Sequence, residues 1–388
     1  MKKSLFFLSL LISTLGLAQS KLPVIKANSK NVKIRDGLNF KPNFWYIMPE
    51  TNPDIYYVDL PIKTQSVSFI TDQDSIRFEV KYGQHYDFII LLNNKDSCYT
   101  RISATYPKKT DYASACKNCP NDTIPFTVRN NKIYISGKLN GNENINFQLD
   151  LGAGAANINY KSVKKGKVSF DKKGNLKNSD GNNEVRLSTK NTIELGGLKW
   201  EGIEMYETKN MGNYEDAIVG NSLFLGKIYE IDYDNKLIIV YRSLQPKLSG
   251  FRKQDMLLDN GIRPVLEVAF DFDGQQQQDW FLFDTGNSSN GIIGNAFTSK
   301  NDNYDKFTKL IGFGDRRIAL VPKIGLGGLS FSKGVIVLEK PSKEGSQYAF
   351  GGIIGNKILK NFNVIIDNQQ GCIYLKPNHS IHQSGVFF

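Results

Sequence analysis

The sequence repeats itself, and this internal duplication constrains the fold more than any other feature of the chain. Each of two blocks begins with an alternating strand pattern, passes through an Asn-Gly or Asp-Gly turn, and ends a second apolar strand on an aspartate. The turn glycines are Gly141 and Gly274 (274 − 141 = 133), and the aspartates are Asp150 and Asp284 (284 − 150 = 134). A separation this constant predicts two units of the same architecture.

Later motifs keep nearly the same offset. Gly196 and Gly327 each mark a glycine turn between two strand patterns (327 − 196 = 131). Gly220 and Gly355 each follow a pair of apolar residues and precede an asparagine (355 − 220 = 135). The order of elements is therefore preserved over about 100 residues of each block.

These patterns predict an all-β fold with two lobes and an additional module. Both blocks are rich in strand patterns, and short helical candidates lie only near residues 221–225 and 356–359. Residues that precede the repeat carry further strand patterns, near 55–60, 67–70, 76–80 and 86–92. The predicted organisation is a signal peptide at 1–18, an N-terminal β module at 19–125, a first lobe at 126–245 and a second lobe at 246–388.

The first residues predict export. Two lysines at Lys2 and Lys3 precede an apolar run that ends near Leu17, and Ala18 is the expected cleavage position. The run is too short for a membrane-spanning helix, and no later stretch contains about 18 uncharged apolar residues. We therefore expect a periplasmic or extracellular protein without a membrane span.

The charge distribution argues against a nucleic-acid partner. The formal net charge is +11, and removal of Lys2 and Lys3 with the signal would leave 11 − 2 = +9. The excess is spread along the chain, without a dense basic run that alternates with aromatic residues. Such a distribution is typical of a solvated surface.

Four cysteines would enter an oxidising compartment. Cys116 and Cys119 form a Cys-x-x-Cys motif, but no second such pair and no neighbouring histidine would complete a zinc site. A structural disulfide is expected instead, either within the motif or from Cys98 to one of its members. Cys372 lies in an apolar strand pattern and is expected to be buried.

The motif at Asp284 connects the repeat to a known family. An apolar strand, Asp284-Thr285-Gly286, and later two apolar residues before Gly355 resemble a pepsin- or retropepsin-like aspartic peptidase. The first block carries Asp150-Leu-Gly in the same context, and the resemblance covers roughly residues 130 to 378. A lone Asp-x-Gly is usually an ordinary turn, as we expect for residues 259–261, which lie outside the repeat.

The resemblance implies two β-barrel lobes related by a pseudo-twofold axis, with one catalytic aspartate from each. It assigns catalysis to the two aspartates, support of the active turns to the residues that follow them, and a packing strand beneath each turn to two glycines. These residues are Asp150 and Asp284, then Gly152, Ala153, Thr285, Gly286 and Asn287, and finally Gly220 and Gly355. It further implies a monomer that acts on a peptide or protein substrate without a metal or cofactor.

Hydrolysis by such a pair requires two carboxyl groups so close that they share one proton. The ionised member removes a proton from a bound water, which attacks the scissile carbonyl, and the protonated member donates to the carbonyl oxygen. Neither lobe can do this alone. The two pKa values therefore belong to the pair of Asp150 and Asp284 rather than to either residue.

Three residues depart from the family pattern. Leu151 replaces the threonine whose hydroxyl normally bonds the opposite lobe, whereas Thr285 retains that hydroxyl. Ala153 and Asn287 stand where a hydroxyl more often donates to the carboxylate, and loss of such a donor raises the pKa of the pair. We therefore expect a less acidic pH optimum than that of pepsin. A hairpin from Asp180 to Ile193 is the candidate flap over the substrate.

A second class of function fits the same fold. A non-catalytic peptide-binding protein would keep the cleft but lose the geometry of the pair, because a fold does not determine a function. Carboxyl oxygens about 3 Å apart would favour catalysis, and a separation beyond about 6 Å would favour binding. A dinucleotide loop at Gly152 and a serine hydrolase using Ser288 are both disfavoured, because neither has the remainder of its motif.

Overall fold

The chain is all-β. The structure is a computed structural model, which describes residues 22–37, 39–59, 64–105, 110–178, 181–242, 248–341 and 350–382. The predicted signal peptide, residues 243–247 around the predicted boundary between the lobes, and the tip of the candidate flap at 179–180 lie outside these residues. Within the described ranges, no helix is long and apolar enough to cross a membrane.

The N-terminal module consists of two four-stranded sheets around a core of its own. The four predicted strand patterns of this module all form strands. Val32, Phe69 and Phe88 are fully buried in this core, and the rings of Phe69 and Phe88 meet edge to face at 5.1 Å. The sheets have the orders β1-β7-β8-β4 and β3-β2-β5-β6. The strands are β1 Val24–Ala27, β2 Asn31–Asp36, β3 Asn39–Tyr46, β4 Asp54–Tyr57, β5 Thr64–Ile70, β6 Ser75–Lys81, β7 His85–Leu92 and β8 Asp96–Ser103.

The remainder of the chain forms two larger sheets of nine and thirteen strands. Helices are short, and those at 221–224 and 356–359 fall where the sequence predicts them. The strands of the first block are β9 Ala113–Ser114, β10 Asn121–Pro125, β11 Thr127–Arg129, β12 Lys132–Leu139, β13 Asn142–Leu149, β14 Ala156–Asn159, β15 Lys172–Asn178, β16 Gly181–Leu195, β17 Leu198–Thr208, β18 Ala217–Val219, β19 Ile228–Asp232 and β20 Leu237–Tyr241.

The described residues of the second block form ten strands and three short α-helices. The strands are β21 Arg252–Asp259, β22 Arg263–Phe272, β23 Gln275–Asp284, β24 Gly291–Ile293, β25 Thr308–Phe313, β26 Arg316–Leu326, β27 Leu329–Glu339, β28 Gly352–Gly355, β29 Phe362–Asp367 and β30 Cys372–Pro377. The helices are α1 Asn295–Thr298, α2 Asn303–Lys306 and α3 Asn356–Leu359, with 3₁₀ turns at Tyr160–Ser162, Asn221–Phe224 and His379–His382.

Strands in the two blocks pair in the same way around the two aspartates. In the first block, β13 runs parallel to β18, which is antiparallel to β14, and β14 is parallel to β17. In the second block, β23 runs parallel to β28, which is antiparallel to β24, and β24 is parallel to β27. Asp150 therefore directly follows β13, and Asp284 is the last residue of β23. Each of these strands is paired with the strand that leads into the later glycine motif, β18 or β28.

A continuous antiparallel arrangement joins the two blocks. Within the larger sheet the order β10-β20-β19-β29-β30-β21 places strands of both blocks side by side. The junction is the pairing of β19 with β29, in which Tyr229 lies opposite Ile366 and Ile231 opposite Val364. All four side chains are buried, so the two blocks share one apolar core at this junction.

Strands of the segment 110–125 pair with strands of the first block. β10 pairs with β20, and β9 pairs with β17. The Lys-, Asp- and Cys-rich composition of this segment resembles a linker, but Ile124 is fully buried in the core of the two blocks. Cys116 and Cys119 form a disulfide, whereas Cys98 and Cys372 are free and buried.

Candidate functional site

Asp150 and Asp284 lie at the ends of equivalent strands and face each other. Asp150 directly follows β13, and its backbone N–H donates to the carbonyl of Val219 at 2.8 Å. Asp284 is the last residue of β23 and lies opposite Gly355 of β28. Their carboxyl groups are partly buried and form a hydrogen bond with each other, so the two blocks bring the aspartates together.

The two motif glycines leave room for this contact. A Cβ on Gly152 would lie 2.6 Å from the Cγ of Asp284, and a Cβ on Gly286 would lie closer still to the carboxyl of Asp150. Neither glycine has a positive φ angle. Glycine is therefore required here by the close approach of the opposite carboxyl group and not by the backbone conformation.

Backbone amides hold the carboxyl groups in place. Gly152 N–H donates to Oδ1 of Asp150 at 2.8 Å, and Gly286 N–H donates to Oδ1 of Asp284 at 2.8 Å. Asn287 N–H adds a second donor to Asp284 at 3.0 Å. These short contacts within each turn fix the direction in which each carboxyl group points.

The pKa values of both aspartates are raised. Burial raises the pKa of Asp284, and the negative charge of Asp150 raises it further, to well above the ordinary range of an aspartate. Burial also raises the pKa of Asp150, against the opposing effects of the bond from Asp284, the Gly152 amide and the Lys132 cation. The pair therefore retains a shared proton to higher pH than isolated carboxyl groups would.

Thr285 connects the two blocks beneath the aspartates. Its hydroxyl accepts a hydrogen bond from the backbone N–H of Leu151 at 3.0 Å and donates to the carbonyl of Leu149 at 2.8 Å. Both Thr285 and Leu151 are fully buried. Leu151 has no hydroxyl to return the contact, and its side chain packs in the apolar core instead.

Substitution of Thr285 by valine should destabilise the protein by about 1–3 kcal/mol, because the buried N–H of Leu151 would lose its acceptor. Serine at this position keeps the hydroxyl and should cost less than valine. The measurement is the free energy of unfolding of both variants from denaturant titration. Equal stability of the valine variant and the wild type would show that the contact does not hold the blocks together.

The other residues assigned from the resemblance occupy supporting positions. Ala153 N–H donates to the carbonyl of Asp150 at 3.1 Å, while the side-chain Oδ1 of Asn287 accepts from Ser289 N at 2.9 Å and so turns away from the pair. A Cβ on Gly220 would lie 2.7 Å from the carbonyl oxygen of Asp150. A Cβ on Gly355 would clash with the backbone of Ser289.

Two asparagines that the sequence did not single out make matching contacts between the blocks. Asn221 Nδ2 donates to the carbonyl of Ile262 at 2.7 Å, and Asn356 Nδ2 donates to the carbonyl of Asn131 at 2.9 Å. Both donors are fully buried. They follow Gly220 and Gly355 at a common offset (356 − 221 = 135), and this repetition was the signal available in the sequence.

The candidate flap is a hairpin in which β15 pairs with β16. Its tip lies outside the described residues. Among the residues that the structure describes, no group of three or more His, Cys, Asp or Glu side chains is arranged to hold a metal ion.

No family model matches the chain, and no curated protein matches it.

Proposed function

We propose that the chain is an aspartic endopeptidase in which Asp150 and Asp284 activate a water molecule against a peptide bond. The observation that supports this most is the hydrogen bond between the two carboxyl groups, which come from equivalent strand ends of two blocks. A shared proton gives one group that can accept a proton and one that can donate it. The proposal includes two barrel-like lobes related by a pseudo-twofold axis, and export of the chain.

In the proposed reaction, Asp150 is the ionised member and Asp284 carries the proton. Lys132, which favours the charged form of Asp150, and the raised pKa of Asp284 both support this assignment. Asp150 would take a proton from the attacking water while Asp284 donates its proton to the carbonyl oxygen of the scissile bond. The tetrahedral intermediate would then collapse as Asp150 gives its proton to the leaving amine and Asp284 takes back a proton from a hydroxyl of the intermediate, so that the pair again holds one proton.

The alternative is a peptide-binding protein without catalysis, and Leu151 is the observation that favours it. In pepsin-like peptidases a hydroxyl from each turn bonds the opposite lobe. Here Thr285 supplies one such hydroxyl, but Leu151 packs into the core and cannot supply the other. Against this, the bond from Leu151 N–H to Thr285 keeps the turns together, and the carboxyl groups remain in hydrogen-bonding contact.

A peptide library separates the two functions. The purified chain is incubated with peptides of mixed sequence between about pH 3 and pH 8, and products are identified by mass spectrometry. New peptide termini support the peptidase. Peptides that are retained by the protein but recovered intact would contradict it and support the binding protein.

The pH profile of kcat/KM should have its maximum at a less acidic pH than that of pepsin. Activity requires one proton on the pair. The acidic limb follows the second protonation of the pair, and the alkaline limb follows loss of the shared proton. Both limbs move to higher pH because burial raises the pKa of both carboxyl groups. A maximum near about pH 2 to 3 would contradict this expectation.

A further inference from the structure

The turn at residues 259–262 contacts the N-terminal module, although an ordinary turn is expected from its Asp-x-Gly motif. Lys41 lies on the edge strand β3 of that module and is almost fully buried. Its Nζ lies 2.5 Å from Oδ1 of Asp59 in the same module and 2.8 Å from Oδ1 of Asp259 in the second block. One buried cation therefore bridges two parts of the chain that are 218 residues apart.

Hydrogen bonds surround this cation on both sides. Asn260 N–H donates to Oδ1 of Asp59 at 3.2 Å, and the side-chain oxygen of Asn260 accepts from Tyr57 N–H at 3.1 Å. Asp36 accepts from Asp59 N–H at 2.9 Å and so fixes the segment that carries Asp59. We name the residues Asp36, Lys41, Tyr57, Asp59, Asp259 and Asn260 the clamp.

The charges of the clamp depend on one another. Burial opposes the charged form of Lys41, but the charges of Asp259 and Asp59 outweigh burial and raise its pKa. Burial likewise disfavours ionised Asp259, yet Arg263 and Lys41 lower its pKa to about 2. A buried charge that loses its partner is strongly unfavourable, so removal of Lys41 alone should loosen the contact.

The clamp continues to the turn that carries Asp150. Arg263 Nε donates to Oδ2 of Asp259 at 2.8 Å, and the Cδ of Arg263 lies 3.9 Å from the position that a Cβ on Gly154 would occupy. The carbonyl of Ile262 accepts the hydrogen bond from Asn221. The turn at 259–262 is thus held by the N-terminal module on one side and by the first block on the other.

We propose that the clamp fixes the N-terminal module to the turn at 259–262 and that the docked module thereby positions the loop of Asp150 against Asp284. This assigns the module a positioning role in place of that of a removable segment, and it rests on the proposed function of the two aspartates. Lys41, Asp259 and Arg263 are then positioning residues, which act on the pair through Gly154 and Ile262.

Two variants of the full chain test the clamp. Lys41→Met removes the bridging cation, and Asn260→Gly removes only the side-chain acceptor of Tyr57 N–H. Asn260 has a φ angle of 49°, which glycine adopts without strain, so this variant should fold. Lys33→Met, at an exposed position of β2, is the matched control.

Hydrogen exchange and the titration of the pair are measured on the same samples. In Lys41→Met the amides of Tyr57 and Asn260 should exchange at least about tenfold faster. The ¹³C carboxyl titration of Asp150 and Asp284 should shift, and kcat/KM should fall about tenfold or more. Asn260→Gly should change each of these quantities in the same direction by less, and Lys33→Met should change none.

The outcomes distinguish the clamp from the proposed function. Faster exchange in both clamp variants with an unchanged carboxyl titration would overturn the clamp and leave the module an accessory. Unchanged exchange in both variants would overturn the docking contact itself. A wild type that cleaves no peptide, but whose carboxyl titration shifts in Lys41→Met, would overturn the peptidase while supporting the clamp.

Discussion

Asp150→Asn and Asp284→Asn should each lower kcat/KM for peptide hydrolysis by at least about 10³-fold while the protein stays folded. An amide at either position cannot share the proton, so each single substitution removes both the base and the acid. The double variant should therefore be no less active than either single variant, because the two groups act as a unit. The measurement is kcat/KM on one cleaved peptide.

Stability separates loss of chemistry from loss of structure in these variants. The raised pKa of Asp284 makes the folded state less stable as the pH rises above the ordinary aspartate pKa, because the unfolded chain ionises more easily. An amide at one position removes this cost and should leave the thermal midpoint unchanged or raise it. Asp273→Asn is the control, since Asp273 is exposed in a hairpin turn of the same block. Equal activity in the wild type and in all three variants of the pair would show that Asp150 and Asp284 do not act as a catalytic pair.

The pairing of Asp150 and Asp284 was predictable because it follows from a register that the sequence repeats. A constant offset places equivalent strands in equivalent positions, and the apolar patterns on each side then indicate the strands themselves. The role of Thr285 did not follow from the register: the resemblance to pepsin-like peptidases implied a hydroxyl that bonds the opposite lobe, and the Thr285 hydroxyl contacts Leu151 and Leu149.

The clamp could not be predicted in the same way. Lys41 lies between Phe40 and Pro42 in the sequence, and a lysine side chain is usually exposed. Its partner Asp259 is 218 residues away and lies outside the repeat, so no spacing connects them. The pairing of β10 with β20 was not predicted either, because the composition of residues 110–125 resembles that of a linker.

Gly152→Ala should reduce kcat/KM about 100-fold or more and shift the titration of the pair. The added Cβ would lie 2.6 Å from the Cγ of Asp284, a distance that non-bonded atoms do not tolerate, so the carboxyl group must move. Displacement of a reacting group by about 1 Å is sufficient for a loss of this size. The backbone of Gly152 lacks a positive φ angle, so alanine introduces a steric conflict without conformational strain.

Gly334→Ala provides the comparison for that substitution. A Cβ on Gly334 has its nearest neighbour at 4.0 Å, in the side chain of Asn290, and Gly334 also lacks a positive φ angle. Both variants add the same methyl group at a glycine without a positive φ angle, but only Gly152→Ala adds it against the opposite carboxyl group. If Gly152→Ala retained the kcat/KM and the carboxyl titration of the Gly334→Ala variant, the carboxyl group of Asp284 could not lie as close to Gly152 as the 2.6 Å contact of the added Cβ requires.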